Sequence, residues 1–282
     1  MSRIVYLNGE YLPADAAKVS VFDRGFVFAD GVYEVVPVVN GCLVDKQYFV
    51  ERLGHSLEAL SIAWPCSEAD YFLVMEELIK RNELREGIVY SQVTRGVAER
   101  EFSFPKDCVP TFVAFTEARQ LLDNVHIRQG IAVVTTDELR WKRRDIKSLN
   151  LLAQVLAKEF AASRGAGEVW MVEDGYVTEG GSSSAYIVKG GRIITRPLSV
   201  AILPGIRRRS LLELIAAAGI EHELRPFTVA EVLAADEAFI SSATTVITPV
   251  VVLDDKPIGS GKPGEITRRV QEIYKKHLLD QT

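Results

Sequence analysis

The chain has 282 residues, of which 48% are hydrophobic and 25% charged, so it is long enough to bury a real core in two ordinary domains or one large one. A formal net charge of −5 argues against general nucleic-acid binding, and no apolar run is long enough to cross a bilayer. Three scattered cysteines and four isolated histidines argue against a disulfide framework and a zinc site, and the start of the chain lacks the apolar core of a signal peptide, so a cytoplasmic protein without a metal is expected.

In chain order, residues 3–12 and 31–44 alternate apolar and polar around the turns Asn8-Gly9 and Asn40-Gly41, the pattern of two hairpins. Alternation puts Tyr33 and Val35 on one face and Glu34 and Val36 on the other, with Pro37 expected at an edge or a strand break. Helices are predicted over 46–61 and 67–83, the first with an apolar stripe of Phe49, Leu53, Leu57 and Leu60. Arg52 lies near that stripe and fits either a snorkelling side chain or one that reaches a buried anion. Strands follow at 87–95 and 109–117. The loop between them, Arg95 to Pro105, mixes charge with aromatics and fits either a solvated excursion or a substrate-binding tongue.

The period is lost between Glu117 and Gln129. The expected organisation is therefore an N-terminal α+β domain over 1–118, a linker over 119–129 and a C-terminal domain over 130–282. In the latter, Asp145-Ile146-Lys147-Ser148-Leu149-Asn150 places a lysine where an extended run hands over to a helix. The helix is expected from Ser148 as N-cap, with Leu149, Leu152, Leu156 and Phe160 on its buried face. An amine desolvated at such a place is suited to attack a carbonyl and form a Schiff base. Strands at 168–173 and 176–179 bring Glu179 to a tight loop, Gly180 to Ser184, where a carboxylate is placed to pair with a protonated ring nitrogen. Ile202-Leu203-Pro204-Gly205-Ile206-Arg207 leads into a helix over 208–218, which reads as an anion-binding helix start or as an ordinary Pro-Gly turn. The polar loop Ser241-Ser242-Ala243-Thr244-Thr245 either wraps a phosphate or caps a turn.

A lysine, a downstream carboxylate and two phosphate-competent loops are together the parts of a pyridoxal 5′-phosphate site. Four segments carry a resemblance to the fold-type IV pyridoxal phosphate enzymes: 145–150, Thr178-Glu179-Gly180-Gly181-Ser182-Ser183, Leu203-Pro204-Gly205-Ile206 and Ile247-Thr248-Pro249-Val250. Asp23-Arg24-Gly25, the stretch 30–36 and Gln92-Val93-Thr94-Arg95-Gly96 resemble the bacterial D-amino-acid aminotransferases within that family. The resemblance runs over nearly the whole chain. It implies a mixed α/β (α+β) fold of two domains with the active site at their interface. It further implies ping-pong transfer of an amino group from D-alanine- or D-glutamate-type substrates to a 2-oxo acid. By the same resemblance Lys147 binds the cofactor and shuttles a proton, and Glu179 keeps the ring nitrogen protonated. Arg52, the amides of Ile206 and Arg207, and the Ser242, Ala243 and Thr244 loop hold the phosphate, while Leu203 packs on the ring. Val35, Phe102 and Ser182 line the substrate. Tyr33 and Arg100 grip its carboxylate, Arg100 from the partner subunit of a homodimer.

The family pattern is not matched everywhere. Phe102 stands where a histidine is usual, which implies a looser carboxylate grip and room for (R)-amines; Arg207 stands for a threonine, Ala243 for a hydroxyl residue and Ser184 for an asparagine. A charged contact from Arg207 would replace the missing hydroxyl, whereas an Arg207 pointing into solvent would mean weak cofactor binding. Branched-chain L-aminotransferase is the first alternative reading, aminodeoxychorismate lyase the second, and a non-enzymatic pyridoxal phosphate carrier the one from another class.

Overall fold

The computed structural model describes residues 3–282, which divide into two compact units. The first comprises the chain up to Arg119 together with Ile146–Asn150 and Gln281–Thr282; the second comprises Gln120–Asp145 and Leu151–Asp280.

In the first unit β1 (Ile4–Leu7) and β2 (Glu10–Pro13) form a hairpin closed by Asn8 and Gly9, both at positive φ, as a two-residue turn of this hand requires. A short helix α1 (Arg24–Phe28) is capped by Asp23, whose carboxylate accepts from the Gly25 amide. It is followed by β3 (Gly31–Val39), β4 (Cys42–Leu43), α2 (Lys46–Ala59), α3 (Glu68–Arg81), β5 (Gly87–Thr94) and β6 (Thr111–Ala118). The six strands make an antiparallel sheet in the order β2-β1-β6-β5-β3-β4, with α2 against β3 and α3 against β1, β5 and β6. The predicted stripe of α2 is buried at Phe49, Leu53 and Leu57, and the helix packs on β3, where Val36 and Val38 are fully buried. α3 forms as its ends dictate, with Ser67 capping the Asp70 amide, acids in the first turn and Lys80 and Arg81 in the last.

Pro37 neither breaks β3 nor lies at its end. It pairs in register with Ile88, and its carbonyl accepts from the Val44 amide on the opposite side, so its missing N–H faces away from the β5 ladder.

The second unit runs α4 (Val125–Gln129), β7 (Ile131–Asp137), α5 (Leu152–Ser163), β8 (Glu168–Glu173), β9 (Tyr176–Gly180), β10 (Ser184–Lys189) and β11 (Arg192–Thr195). It continues with α6 (Ile206–Ala217), β12 (His222–Leu224), α7 (Val229–Leu233), β13 (Glu237–Ser242), β14 (Val246–Leu253), β15 (Lys256–Pro257) and α8 (Glu265–Leu279). Its nine strands form a mixed sheet in the order β12-β11-β10-β13-β14-β7-β8-β9, with β15 on β14. Trp170, Phe227, Ile187, Ile240 and Leu253 sit in its main core. The expected linker is partly ordered structure of this unit, because Asn124 caps α4 and α4 packs on β14.

Two expectations around the lysine change. Residues 146–150 belong with the first unit, not with the C-terminal one, since they lie as an extended piece along the start of β3. Tyr33 N–H donates to the Lys147 carbonyl at 3.0 Å, Leu149 N–H to the Gly31 carbonyl at 3.0 Å, and Val32 bridges Ser148. Glycine is required at 31, because a Cβ there would stand 2.7 Å from the Val93 carbonyl oxygen and 2.8 Å from Leu149 Cδ1. The helix accordingly begins at Leu152, and Ser148 is not its cap. Of the predicted stripe only Phe160 packs on the buried face of the helix. Small residues, Ala157 and Ala161, bring α5 close to β7 and β8, leaving Leu152, Val155 and Leu156 exposed.

Candidate active site

Lys147 is half-buried in the first unit. Its backbone is fixed by β3 and by the hydrogen bond that its amide N–H donates to Ser56 Oγ at 3.2 Å, and its Nζ stands 4.1 Å from the centre of the Tyr33 ring. Tyr33 in turn stacks on Tyr90 at 5.7 Å, and Tyr90 on Phe115 at 4.7 Å, so the ring beside the amine is held by an aromatic row. Val35 shares that face with Tyr33, both half-buried, while Glu34 and Val36 point the other way into the core as alternation requires.

Arg52 is buried, not snorkelling. Its Nε and Nη2 donate to the two oxygens of Glu34 at 2.8 and 2.7 Å, a bidentate pair in which Glu34 is fully buried. Of the two destinations open to Arg52, solvent or a buried group, the side chain takes the second and reaches Glu34, which strand alternation buries in the core.

The loop after β5 is set by one carboxylate and two guanidinium groups. Asp30 accepts from Arg24 Nε at 2.7 Å and from Arg95 Nε and Nη2 at 2.8 and 3.0 Å; Arg24 Nη1 donates to the Glu101 carbonyl, and Arg95 stacks on Phe104 at 3.6 Å. Burial pushes the Asp30 carboxyl up, but the hydrogen bonds and charges of Arg95 and Arg24 outweigh it and hold it below the ordinary carboxylate range. At the tip, the exposed Arg100 guanidinium lies 5.4 Å from the Phe28 ring and 5.7 Å from Phe102, which is 80% exposed.

In the second unit Glu179 ends up only 5% exposed near the end of β9. Its Oε1 accepts from Arg140 Nη1 at 2.6 Å and from the Leu203 amide at 3.1 Å. Among the described residues no donor reaches Oε2. Burial pushes the Glu179 carboxyl up and outweighs the pull of Arg140 and the Leu203 amide, with Glu138 adding to the rise. Leu203, half-buried, thus serves Glu179 through its amide. Ser182 is exposed and its hydroxyl reaches Glu168 at 3.3 Å, beside Ser183 and Lys158 on the same carboxylate.

The start of α6 has Gly205 at its N-cap and no side-chain cap. A Cβ on Gly205 would approach Ser184 Oγ to 2.7 Å, so a larger residue there would push the Ser184 hydroxyl aside. Ile206 and Arg207 occupy the first turn. Arg207 does not point into solvent: it is 2% exposed, and its Nη1 donates to the Tyr274 hydroxyl of α8 at 2.9 Å. Arg208 is buried beside it, with Nη2 on the Arg196 carbonyl and, among the described residues, no acceptor on Nε; burial pushes its pKa down against the pull of Tyr186 and Glu179. The hairpin between β13 and β14 gathers its hydroxyls on Ser242 Oγ, which accepts from the amides of Thr244 and Thr245 at 3.3 and 3.1 Å. Ala243 and Thr244 are half-buried, and Val246 closes the turn at φ 53°, a value a β-branched residue rarely adopts.

The model of the family described as Amino-transferase class IV matches residues 31–253. The chain belongs to the class IV aminotransferases. It is 40% identical over 275 residues to the D-alanine aminotransferase of Staphylococcus aureus strain MSSA476, covering 97% of each chain, and 38% identical over 278 residues to that of Bacillus licheniformis, covering 99% and 98%. In fold it matches the Escherichia coli branched-chain amino acid aminotransferase with a TM-score of 0.92 at 22% identity, over 100% of this chain and 96% of that one.

Class IV aminotransferases work with pyridoxal 5′-phosphate, and each unit carries groups that fit it. The uncapped start of α6 and a buried Arg208 lacking an acceptor on Nε suit a phosphate. A carboxylate anchored through one oxygen, with the other undonated, suits a protonated ring nitrogen. Arg140, Glu138, Glu34 and Arg208 are the members that sequence reasoning passed over. Arg208 carried a signal as part of the basic run 207–209, and Glu34 did through its parity with Val36; Arg140 and Glu138, in an irregular stretch, carried none.

Proposed function

We propose that the protein transfers the amino group of D-amino acids, of which D-alanine is the simplest, to a 2-oxo acid, the cofactor being loaded and discharged in alternate half-reactions. The observation that carries the reading is 40% identity over 97% of the chain to D-alanine aminotransferases, with the lysine, carboxylate and helix-start motifs all in place.

The cofactor, when bound, supplies an electron sink that delocalises the pair left at the substrate's Cα. Lys147 would hold the cofactor through its Nζ and, as a free amine, would move the proton at the substrate's Cα; the Tyr33 ring stands 4.1 Å from that nitrogen. Glu179, anchored through Oε1, would pair with the ring nitrogen and so keep it charged. The amides of Ile206 and Arg207, the Ser242 to Thr244 hairpin, Arg52 and Arg208 hold the phosphate. Arg207 serves through its amide, since its guanidinium is engaged with Tyr274.

Tyr33, Val35, Ser182 and the loop bearing Arg100 and Phe102 receive the substrate, with Arg100 binding its carboxylate. The exposed rings of Phe22, Phe26, Phe102 and Phe104, and the exposed Leu152, Val155 and Leu156 of α5, support a homodimer in which Arg100 serves the partner subunit. Three unbridged cysteines support a reducing compartment, the cytoplasm.

Steady-state turnover of D-alanine with 2-oxoglutarate, followed by chiral analysis of the glutamate formed, tests the assignment. D-glutamate is expected; L-glutamate from an L-donor alone would move the protein to the branched-chain reading.

A further inference from the structure

Arg140 is engaged on two sides. Besides its bond to Glu179 Oε1, its Nε and Nη2 donate to the two oxygens of Glu138 at 2.9 and 2.5 Å, and its own amide donates to Glu138 Oε1 at 3.0 Å. Glu138 is braced in turn by the hydroxyl of Thr178, the residue preceding Glu179, at 2.7 Å, and by Arg144 at 3.6 Å; Arg144 is itself locked on Glu173 at 2.8 and 3.0 Å. The side chains of Glu138, Arg140 and Glu179 are all at most 6% exposed. A planar guanidinium held by both edges has one orientation, and it presents the remaining Nη1 to Glu179.

We propose that Arg140, clamped by Glu138, is the positioning residue that sets the place and the charge of Glu179. The inference rests on the reading that Glu179 meets the cofactor's ring nitrogen. The groups acting on Glu179 are Arg140, Glu138 and, from α6, Arg208. Of these Arg140 is the one cation bonded to it. Remove Arg140 and Glu179 faces Glu138 at close quarters in a dry setting, where two neighbouring carboxylates do not both stay ionised at neutral pH. Glu179 would then take up a proton and stop supporting the charge on the ring. Both oxygens of Glu179 would also be free to rotate about an anchor reduced to the Leu203 amide.

The test is a pH profile of Arg140→Gln beside wild type and Glu179→Gln, with the affinity of each apoprotein for pyridoxal 5′-phosphate measured by tryptophan fluorescence. Arg140→Gln is expected to lower kcat at neutral pH by about 10- to 100-fold. The KM for D-alanine should stay within about twofold. Cofactor affinity should fall about tenfold, and kcat should recover as pH rises and Glu179 ionises. Glu179→Gln should show no such recovery. If Arg140→Gln fails to fold, Arg140→Lys, which keeps the charge but cannot clamp both carboxylates, should show a smaller loss with the same upward slope. Wild-type kcat and cofactor affinity in a folded Arg140 variant, or an equal loss at every pH, would overturn the proposal. An active Glu179→Gln would instead overturn the reading on which it rests.

Discussion

At the level of single residues, the chemistry falls on side chains whose partners are as decisive as they are themselves. Arg52 is aligned by Glu34, and Glu34 is fully buried, which makes their bidentate pair costly to break. Glu34→Ala should lower the unfolding free energy by about 3 kcal/mol in urea titrations, since it removes the bidentate carboxylate from a buried guanidinium. Arg52→Ala in the same chain should cost much less than the sum of the two single changes. Equal costs with full additivity would mean that the pair carries no coupling. Lys147 differs in kind: it is half-buried, and what fixes it is backbone pairing with β3 and the aromatic row under its amine, not a buried helix as the apolar spacing suggested.

Among the elements, the Asp30 node ties α1, the start of β3 and the Arg100 loop together. Its carboxyl is depressed on folding by Arg95 and Arg24, which overcome the effect of burial. A depressed folded-state value means that the unfolded chain binds the proton more readily. The contribution is therefore whole above the unfolded value, about pH 4 for an aspartate, and is lost as the pH falls through the lower folded value. Asp30→Asn should be less stable than wild type at neutral pH and have a flatter acid limb in urea midpoints taken down to about pH 3. Parallel limbs would remove Asp30 from the node. Much of this level was legible beforehand. Both hairpins, α2, α3, the β8–β9 turn and the start of α6 follow from periodicity and turn residues acting over short range. The α5 face was misread because its contact uses alanines, whose small size rewards close approach but gives a weak hydrophobic signal. The Arg140–Glu138 clamp was out of reach for another reason. It joins an irregular segment to β9 across the sequence, and no local rule encodes such a meeting.

On the scale of the whole molecule, exposed aromatic and leucine side chains on both units support association with a second copy, and Arg100 is the residue through which that association would enter the chemistry. Subunits carrying Arg100→Ala and subunits carrying Lys147→Ala should each be poor catalysts alone. Mixed after unfolding and refolding together, they should regain activity, because a hybrid dimer contains one site with both residues. A mixture no better than its parts would place Arg100 in its own subunit's site or outside the reaction. The departure at Phe102 also belongs here, since an 80% exposed ring on a lone chain becomes part of a site only when something covers it.

The most direct measurement is the first half-reaction. Purified holoenzyme is mixed separately with D-alanine, L-leucine and (R)-1-phenylethylamine, and the long-wavelength absorbance of the bound cofactor is followed. Rapid loss with D-alanine and none with L-leucine is the predicted result, with a slower loss in the (R)-amine measuring how far Phe102 has relaxed the carboxylate requirement. Loss with L-leucine and not with D-alanine would contradict the assignment.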